Sequence, residues 1–315
     1  MMTAVDQLTA LRTSAGLARL EDRAFVRFTG TDGARWLNGM ATNNVQQLQP
    51  GEGSYNFFLN AQGRIQGDGY IFHDGESFLL ETAADQCDKF LTLLDHFIIM
   101  DDVELTPTMD GQTGLTLIGP QAPKLLTQLG TPDPIHLQYI TWQGEPVLLI
   151  AAHSPIVPRY ELWAAPETTA ALEKSLLAAS ATACDAASLE ALRILEGTPL
   201  YGKDIRNRDL PQETAQTRAL HFTKGCYLGQ EIVERIHSRG SVHRTLTGFT
   251  LEGILPSGPT TLEAGGKPAG ELTSILTLPT GAHLALGYAR REALNLPLQY
   301  PGGTATPVPL PFQNF

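Results

Sequence analysis

Cysteine is scarce in this chain: 315 residues hold three, and no two lie close in sequence. An odd count, with no C-x-x-C and no Cys/His metal spacing, excludes a disulfide framework and a self-contained zinc or iron–sulfur site. Long apolar runs are also missing; none approaches the roughly 20 residues a membrane-spanning helix needs. The first residues include Asp6, Glu21 and Asp22, with no apolar signal core and no Arg-rich, acid-poor stretch. A cytoplasmic protein without a membrane role is therefore expected. Positive charge is short: 22 Lys and Arg against 33 Asp and Glu leave a net charge of −11. That balance argues against nonspecific nucleic-acid binding.

Turn formers, by contrast, are plentiful. Thirty Gly and 21 Pro predict substantial β-structure, and the length predicts two or three domains. The charge is also unevenly placed. Between Lys203 and Arg244 eight Lys or Arg face five Asp or Glu, a local +3 that leaves −14 for the rest, and His221, His237 and His243 fall in the same stretch. A positive island on an acidic chain suits a small anionic ligand better than a polyanion; the alternative is a solvated face.

The pattern along the chain alternates strands and helices up to about residue 200. Ala24–Thr29 reads as a strand, and Asp32 as the cap of a short helix through Trp36, Leu37 and Met40. Ser54–Asn60 is a second strand. Tyr70–His73 and Ser77–Glu81 flank Asp74-Gly75-Glu76 as a hairpin. A helix carrying Cys87 leads to a strand near Ile98–Leu105. A second α/β unit follows, with strands at Gly114–Ile118, Ile140–Trp142, Pro146–Ala151 and Tyr160–Ala164, and helices over Ala122–Leu129, Thr168–Ala179 and Ala186–Leu195. From Val242 onward, short apolar runs among Gly and Pro predict an all-β domain. The expected organisation is two mixed α/β units, about 20–106 and 107–200, a motif segment 196–240, and a β-domain from 241 to 315.

Eight residues, KGCYLGQE from Lys224 to Glu231, stand out. They put Cys226 after a lysine and a glycine, at what reads as the start of a helix. A helix N-terminus and a nearby cation both favour the thiolate, the reactive form of cysteine. Gly225 permits unusual backbone conformations or close approach of a ligand. Cys87 has Leu91, Leu94 and Ile98 on its helical face and reads as core; Cys184, after a run of alanines, also reads as structural. A buried cysteine in a tight turn is the plain alternative for Cys226.

KGCYLGQE is preceded by Glu196-Gly197-x-Pro199-Leu200-Tyr201-Gly202-x-Asp204 and by Leu210-Pro211-x-Glu213. Together these resemble the YgfZ branch of the folate-binding GcvT-like proteins, which includes a mitochondrial iron–sulfur assembly factor. Trp36-Leu37-Asn38-Gly39-Met40-Ala41-Thr42-Asn43, Leu59-Asn60-Ala61-Gln62-Gly63-Arg64-Ile65 and Leu284-Ala285-Leu286-Gly287-Tyr288 also fit, so the likeness runs over nearly the whole chain. It implies an α+β, GcvT-like fold: two ferredoxin-like α/β units around a central folate channel, plus a C-terminal β-barrel. It also implies tetrahydrofolate, or a derivative, as cofactor.

Within that resemblance, Glu213 matches the family's pterin-binding glutamate. A buried carboxylate can accept two hydrogen bonds from the pterin edge; otherwise Glu213 is a helix-cap or surface acid. Tyr201 is a stacking candidate or a core aromatic. Arg235 and Arg244 are candidates for the anionic folate tail. The aminomethyltransferases of the larger family carry adjacent aspartates where this chain has Gly63-Arg64-Ile65-Gln66-Gly67-Asp68-Gly69. Only Asp68 remains as a candidate catalytic acid, or it simply forms a turn. One cysteine cannot hold a cluster that needs four thiolates. Cys226, kept anionic by Lys224 and Arg235, would then act transiently on sulfur or iron, or form a mixed disulfide with a partner. Three readings follow: a folate-dependent accessory protein for [4Fe–4S] enzymes, with those enzymes or assembly proteins as transient partners; a tetrahydrofolate-dependent aminomethyltransferase or demethylase; and a non-catalytic folate-binding scaffold. The first does not require a conventional methyltransferase.

Overall fold

The computed structural model describes residues 3–131 and 136–313. They form two compact units, each discontinuous in sequence. The first takes the chain up to Leu59, Gly67–Ala186 and Arg218–Leu228; the second takes Asn60–Gln66, Ala187–Thr217 and the chain from Gly229 on.

The first unit is built on two sheets. One runs in the order Gly53–Leu59, Ile65–His73, Phe78–Ala83, Arg23–Thr29, Glu104–Thr108. The other runs Thr182–Ala183, Gly16–Leu20, Thr113–Ile118, Arg159–Ala164, Glu145–Ala152, Leu137–Trp142. Side chains alternate across a strand, and each sheet uses both faces. Val26, Phe28, Phe58, Ile71 and Leu80 meet Trp36, Leu37, Met40, Phe90 and Leu94 of helices Gly33–Met40 and Cys87–Asp95. Leu115, Leu117, Leu149 and Leu162 meet Leu125, Leu126, Leu172 and Leu176 of helices Ala122–Gln128 and Pro166–Ala178. The remaining faces share a third cluster, where Phe25 packs edge-on to Trp163 with ring centroids 5.0 Å apart.

Two buried carboxyls also meet where these sheets face each other. Glu81 lies 3.6 Å from Arg23 Nε, and Glu161 lies 3.2 Å from an Arg159 nitrogen and accepts from Trp163 Nε1 at 3.3 Å. Burial, and then the neighbouring Glu161 carboxyl, push the Glu81 carboxyl up to about 8.

The second unit carries the helix Gln230–Arg239, most of the helix Ala186–Glu196, and a closed barrel. The barrel order is Arg244–Gly253, His283–Arg290, Lys267–Thr277, Thr260–Ala264, Leu298–Tyr300, Gly303–Val308. Its core includes Phe249, Leu251, Leu262, Leu272, Ala285 and Leu298. Asp204, fully buried, ties the segment before the barrel to it. One carboxylate oxygen accepts from Arg193 at 2.7 Å and Leu200 N–H at 3.0 Å; the other accepts from Thr273 Oγ1 at 2.5 Å and Ser274 Oγ at 2.7 Å.

Several local expectations change. The chain has a helix at Ala4–Thr13 and a strand at Gly16–Leu20, ahead of the first strand that periodicity suggests. Residues 98–103 form a bend rather than a strand, because Asp102 turns its carboxylate onto Thr31 N–H at 2.9 Å. Asp32 makes no side-chain cap; its Oδ2 accepts from Asp102 N–H at 2.9 Å instead. The Asp74-Gly75-Glu76 hairpin forms as expected, with Asp74 N–H on Ser77 O at 3.0 Å and Gly75 at φ 105°.

Candidate functional site

The segment bearing Cys226 is pinned to one end of the helix Gly33–Met40. Lys224 Nζ donates to the carbonyls of Asn38 at 2.6 Å, Ala41 at 2.7 Å and Asn43 at 2.6 Å. Leu228 N–H donates to Gly39 O at 3.0 Å, and His221 N–H to Thr42 O at 3.2 Å. Thr42 Oγ1 reaches Ala219 O at 2.6 Å, and Asn43 Nδ2 reaches Arg218 O at 2.8 Å. Tyr227 is buried, with Lys224 Nζ 4.9 Å from its ring centroid. Cys226 is exposed, whereas Cys87 and Cys184 are partly covered and their thiols are pushed up, chiefly by burial.

Two details differ from the sequence reading. Cys226 does not start a helix: that helix begins at Gln230, after Gly229 in the left-handed region at φ 82°. Tyr227 is buried, Leu228 N–H bonds Gly39 O, and residues 225–227 are neither helical nor in a turn. Gly225 is not in the left-handed region, and a Cβ there would meet nothing within 4 Å. The fold leaves space beside the thiol rather than demanding glycine.

Asp68 sits inside the strand Ile65–His73, not in a turn. Its Oδ2 accepts from Tyr55 Oη at 2.5 Å and its Oδ1 from Gln86 Nε2 at 2.9 Å, while Asp68 N–H donates to Gln86 Oε1 at 3.1 Å. Burial raises its pKa, against the lowering effect of these bonds. Arg218 lies over Tyr55, 4.2 Å from the ring centroid, and donates to Tyr70 Oη. The sequence signals neither tyrosine nor Arg218 as a neighbour of Asp68. The flanking glycines are tight: a Cβ on Gly69 would stand 2.5 Å from Glu81 O, and one on Gly67 would stand 2.6 Å from Phe90 and 2.9 Å from Gln86 Oε1. An acid at either position cannot enter without moving the strand or the helix that carries Phe90.

In the second unit Glu213 is buried in the short turn Pro211–Thr214. Its Oε2 accepts from Leu210 N–H at 3.2 Å and lies 3.3 Å from Arg244; among the described residues nothing bonds Oε1. Arg244 is fully engaged in structure, with NH1 on Glu271 at 2.8 Å, NH2 on Asp209 at 2.5 Å, and its guanidinium 4.5 Å over Tyr288. The Tyr201 hydroxyl donates to Gln66 O at 2.7 Å and contacts Asn207 Oδ1. Arg235 is exposed on the helix Gln230–Arg239, and among the described residues its guanidinium makes no ion pair.

Among the described residues, no group of three or more His, Cys, Asp or Glu could hold a metal ion, and no helix is long and apolar enough to cross a membrane. The family model for the GCVT N-terminal domain matches residues 2–224. The chain belongs to the GCVT family. A chloroplastic Arabidopsis thaliana protein, named as a candidate transferase, is 25% identical over 86% of this chain; the chain spans 64% of that relative's length. An aminomethyltransferase of Streptomyces coelicolor is 28% identical, over 90% of this chain and 80% of its own length. A mitochondrial iron-sulfur cluster assembly factor IBA57 homolog of Pyricularia oryzae is 27% identical, over 76% of this chain and 58% of its own length. The crystal structure of the glycine cleavage system aminomethyltransferase T from Bartonella henselae superposes with a TM-score of 0.84 at 20% identity, covering 98% of this chain and 89% of that one. The fold is therefore GcvT-like: mixed α/β with a closed six-stranded barrel.

GCVT-family members bind tetrahydrofolate, and the donor set here fits that group at one point. Glu213 keeps an oxygen unengaged on a carboxylate already fixed by Leu210 and Arg244, which suits an amide-like N–H edge. When bound there, tetrahydrofolate would bring a one-carbon carrier. The other expected ligands fit less well, since the Tyr201 hydroxyl and the Arg244 fork are committed to protein groups.

Proposed function

We propose that this chain is a tetrahydrofolate-binding accessory protein of the YgfZ branch, cytoplasmic, which supports assembly or repair of [4Fe–4S] enzymes through the Cys226 thiol. The observation that carries the proposal is the presentation of Cys226. It is exposed, with open space at Gly225, on a segment anchored on both sides at Lys224 and Leu228. A lone thiol cannot keep a cluster, so its work is transient: meeting a client enzyme or an assembly protein and handing on or protecting sulfur or iron. Glu213 would hold the pterin edge, and the exposed Arg235 is free to meet the anionic tail. Resemblance to the iron-sulfur cluster assembly factor homolog supports this reading.

The second reading, aminomethyl transfer, is favoured by the likeness to aminomethyltransferases and by Asp68, a buried acid with a raised pKa. The tight glycines on both sides of Asp68 weigh against it, because they leave no room for an adjacent second acid.

Two measurements test the proposal. Tetrahydrofolate titration of the purified chain should give binding that weakens by about tenfold or more in Glu213→Ala, the scale of one lost charge-assisted bond. Iron–sulfur enzyme activity in a null strain should return with the wild-type chain and not with Cys226→Ser. Full restoration by Cys226→Ser would remove the cysteine from the function. Formation of methylenetetrahydrofolate from a methylamine donor would favour the second reading.

A further inference from the structure

The last turn of an α-helix leaves carbonyls without intrahelical donors. In the helix Gly33–Met40, Leu37 O is satisfied locally by Ala41 N–H at 3.0 Å. The next two carbonyls are not. Asn38 O takes Lys224 Nζ at 2.6 Å and Gly39 O takes Leu228 N–H at 3.0 Å. These donors arrive from 186 and more residues away along the chain. The helix is thus capped in trans by the two residues that bracket Gly225-Cys226-Tyr227.

Lysine is well matched to this task. An ammonium has three donors and no acceptor, and all three point at carbonyls, those of Asn38, Ala41 and Asn43. A positive charge at a helix C-terminus also complements the macrodipole. Arginine presents a flat fork that cannot make this three-way contact. Burial alone pushes the Lys224 amine down to about 7; no carboxylate contributes. The titratable groups on the surrounding elements are Arg35 on the helix, paired with Asp32 and Asp101, Tyr55 on the strand Gly53–Leu59, held by Asp68, and, on the same segment as Lys224, His221, the Cys226 thiol and Arg218, whose guanidinium lies over Tyr55 and donates to Tyr70.

We propose that Lys224 is the positioning residue of the Cys226 thiol: its ammonium caps the helix Gly33–Met40 and so fixes the thiol outward, rather than pairing with the thiolate. This rests on reading Cys226 as the working group. It replaces the expectation that Lys224 keeps the thiol anionic. In the capped state the segment presents Cys226 in one geometry; once the amine is neutral, a donor is lost and the hold on residues 224–228 loosens.

The test uses the full chain and the Lys224→Met variant, which keeps an apolar stem and removes every donor. Amide hydrogen exchange is followed in peptides covering 33–43 and 218–228. The rate of Cys226 alkylation by iodoacetamide is followed against pH on the Cys226 peptide, so that Cys87 and Cys184 do not contribute. Expected is exchange faster by roughly tenfold or more in both peptides, with the alkylation midpoint unmoved. In the wild type, protection of 218–228 should fall as pH rises through about 7; in Lys224→Met, which retains His221, it should stay flat. An upward shift of the alkylation midpoint would make Lys224 an activating cation and overturn the proposal. Unchanged exchange, or pH-dependent protection persisting in the variant, would overturn it too. Failure of the Cys226 role itself would appear separately, as full function of Cys226→Ser with the exchange result intact.

Discussion

Asp204 lies in a stretch that resembles a folate-family motif, yet its surroundings make it a structural keystone of the barrel-bearing unit. Its carboxylate accepts four hydrogen bonds, two on each oxygen. Asp204→Asn keeps the size and removes half of that capacity. The amide nitrogen cannot face Arg193 and Leu200 N–H, which are both donors, so it must turn to Thr273 and Ser274. Thr273 already donates to Leu286 O at 3.1 Å, and Ser274 accepts from Arg193 at 2.9 Å. Arg193, 13% exposed, then loses one buried anion. Breaking a buried pair costs about 3–5 kcal/mol. Arg193 still has both oxygens of Glu190 at 2.7 Å and Thr198 O at 2.7 Å, which brings the expected loss to about 2–3 kcal/mol. With a urea m-value of about 1–3 kcal/mol/M, the midpoint should fall by roughly 0.7–3 M. All three tryptophans, Trp36, Trp142 and Trp163, belong to the other unit, so circular dichroism, not tryptophan emission, should follow this transition. A midpoint shift under about 0.3 M at unchanged m would refute the reasoning.

Glu81→Gln should stabilise the chain at alkaline pH. The fold raises the Glu81 pKa to about 8, so its favourable contribution is complete below the ordinary carboxyl range. It is lost as pH rises and is gone above about 8. Thermal midpoints of wild type and variant measured from pH 5 to 9 should diverge upward; parallel curves would count against the raised Glu81 pKa. Thr42→Val should cost about 1–3 kcal/mol, because the hydroxyl both donates to Ala219 O at 2.6 Å and accepts from Phe57 N–H at 2.9 Å in a fully buried position. Calorimetry reads the loss, and a change within error would mean those backbone groups find other partners.

Local periodicity made much of the fold legible. The apolar spacing after Cys87 marks a real helix whose Phe90 and Leu94 are core, and the short runs after Val242 become barrel strands. What stayed hidden depends on tertiary contact. Glycines on both sides of Asp68 suggest a turn, but Gly67 and Gly69 are required by Phe90 and by Glu81 O pressing on a continuous strand. A lysine beside a cysteine suggests an electrostatic partner, whereas the carbonyls that engage Lys224 belong to the last turn of the helix Gly33–Met40 and the residues just after it, far away in the sequence. Arg244 shows the same limit: a guanidinium free in sequence is committed to Asp209 and Glu271 in space. Charge and motif identify which residues are unusual, and only geometry says which of their hydrogen-bonding groups are still available.

The trans cap also bears on how the chain is made. The helix Gly33–Met40 emerges early in synthesis, but the donors for Asn38 and Gly39 lie at Lys224 and Leu228. Until those residues leave the ribosome, the last turn has water or nothing on its carbonyls, and the first unit lacks the segment Arg218–Leu228 that belongs to it. Contacts this distant in sequence form late. An N-terminal fragment that stops at residue 217 would therefore end short of its own closure, and a chain truncated there should be a protease substrate. The thiol is delivered in the same step that completes the unit, so an unfinished chain cannot display Cys226 in its native setting.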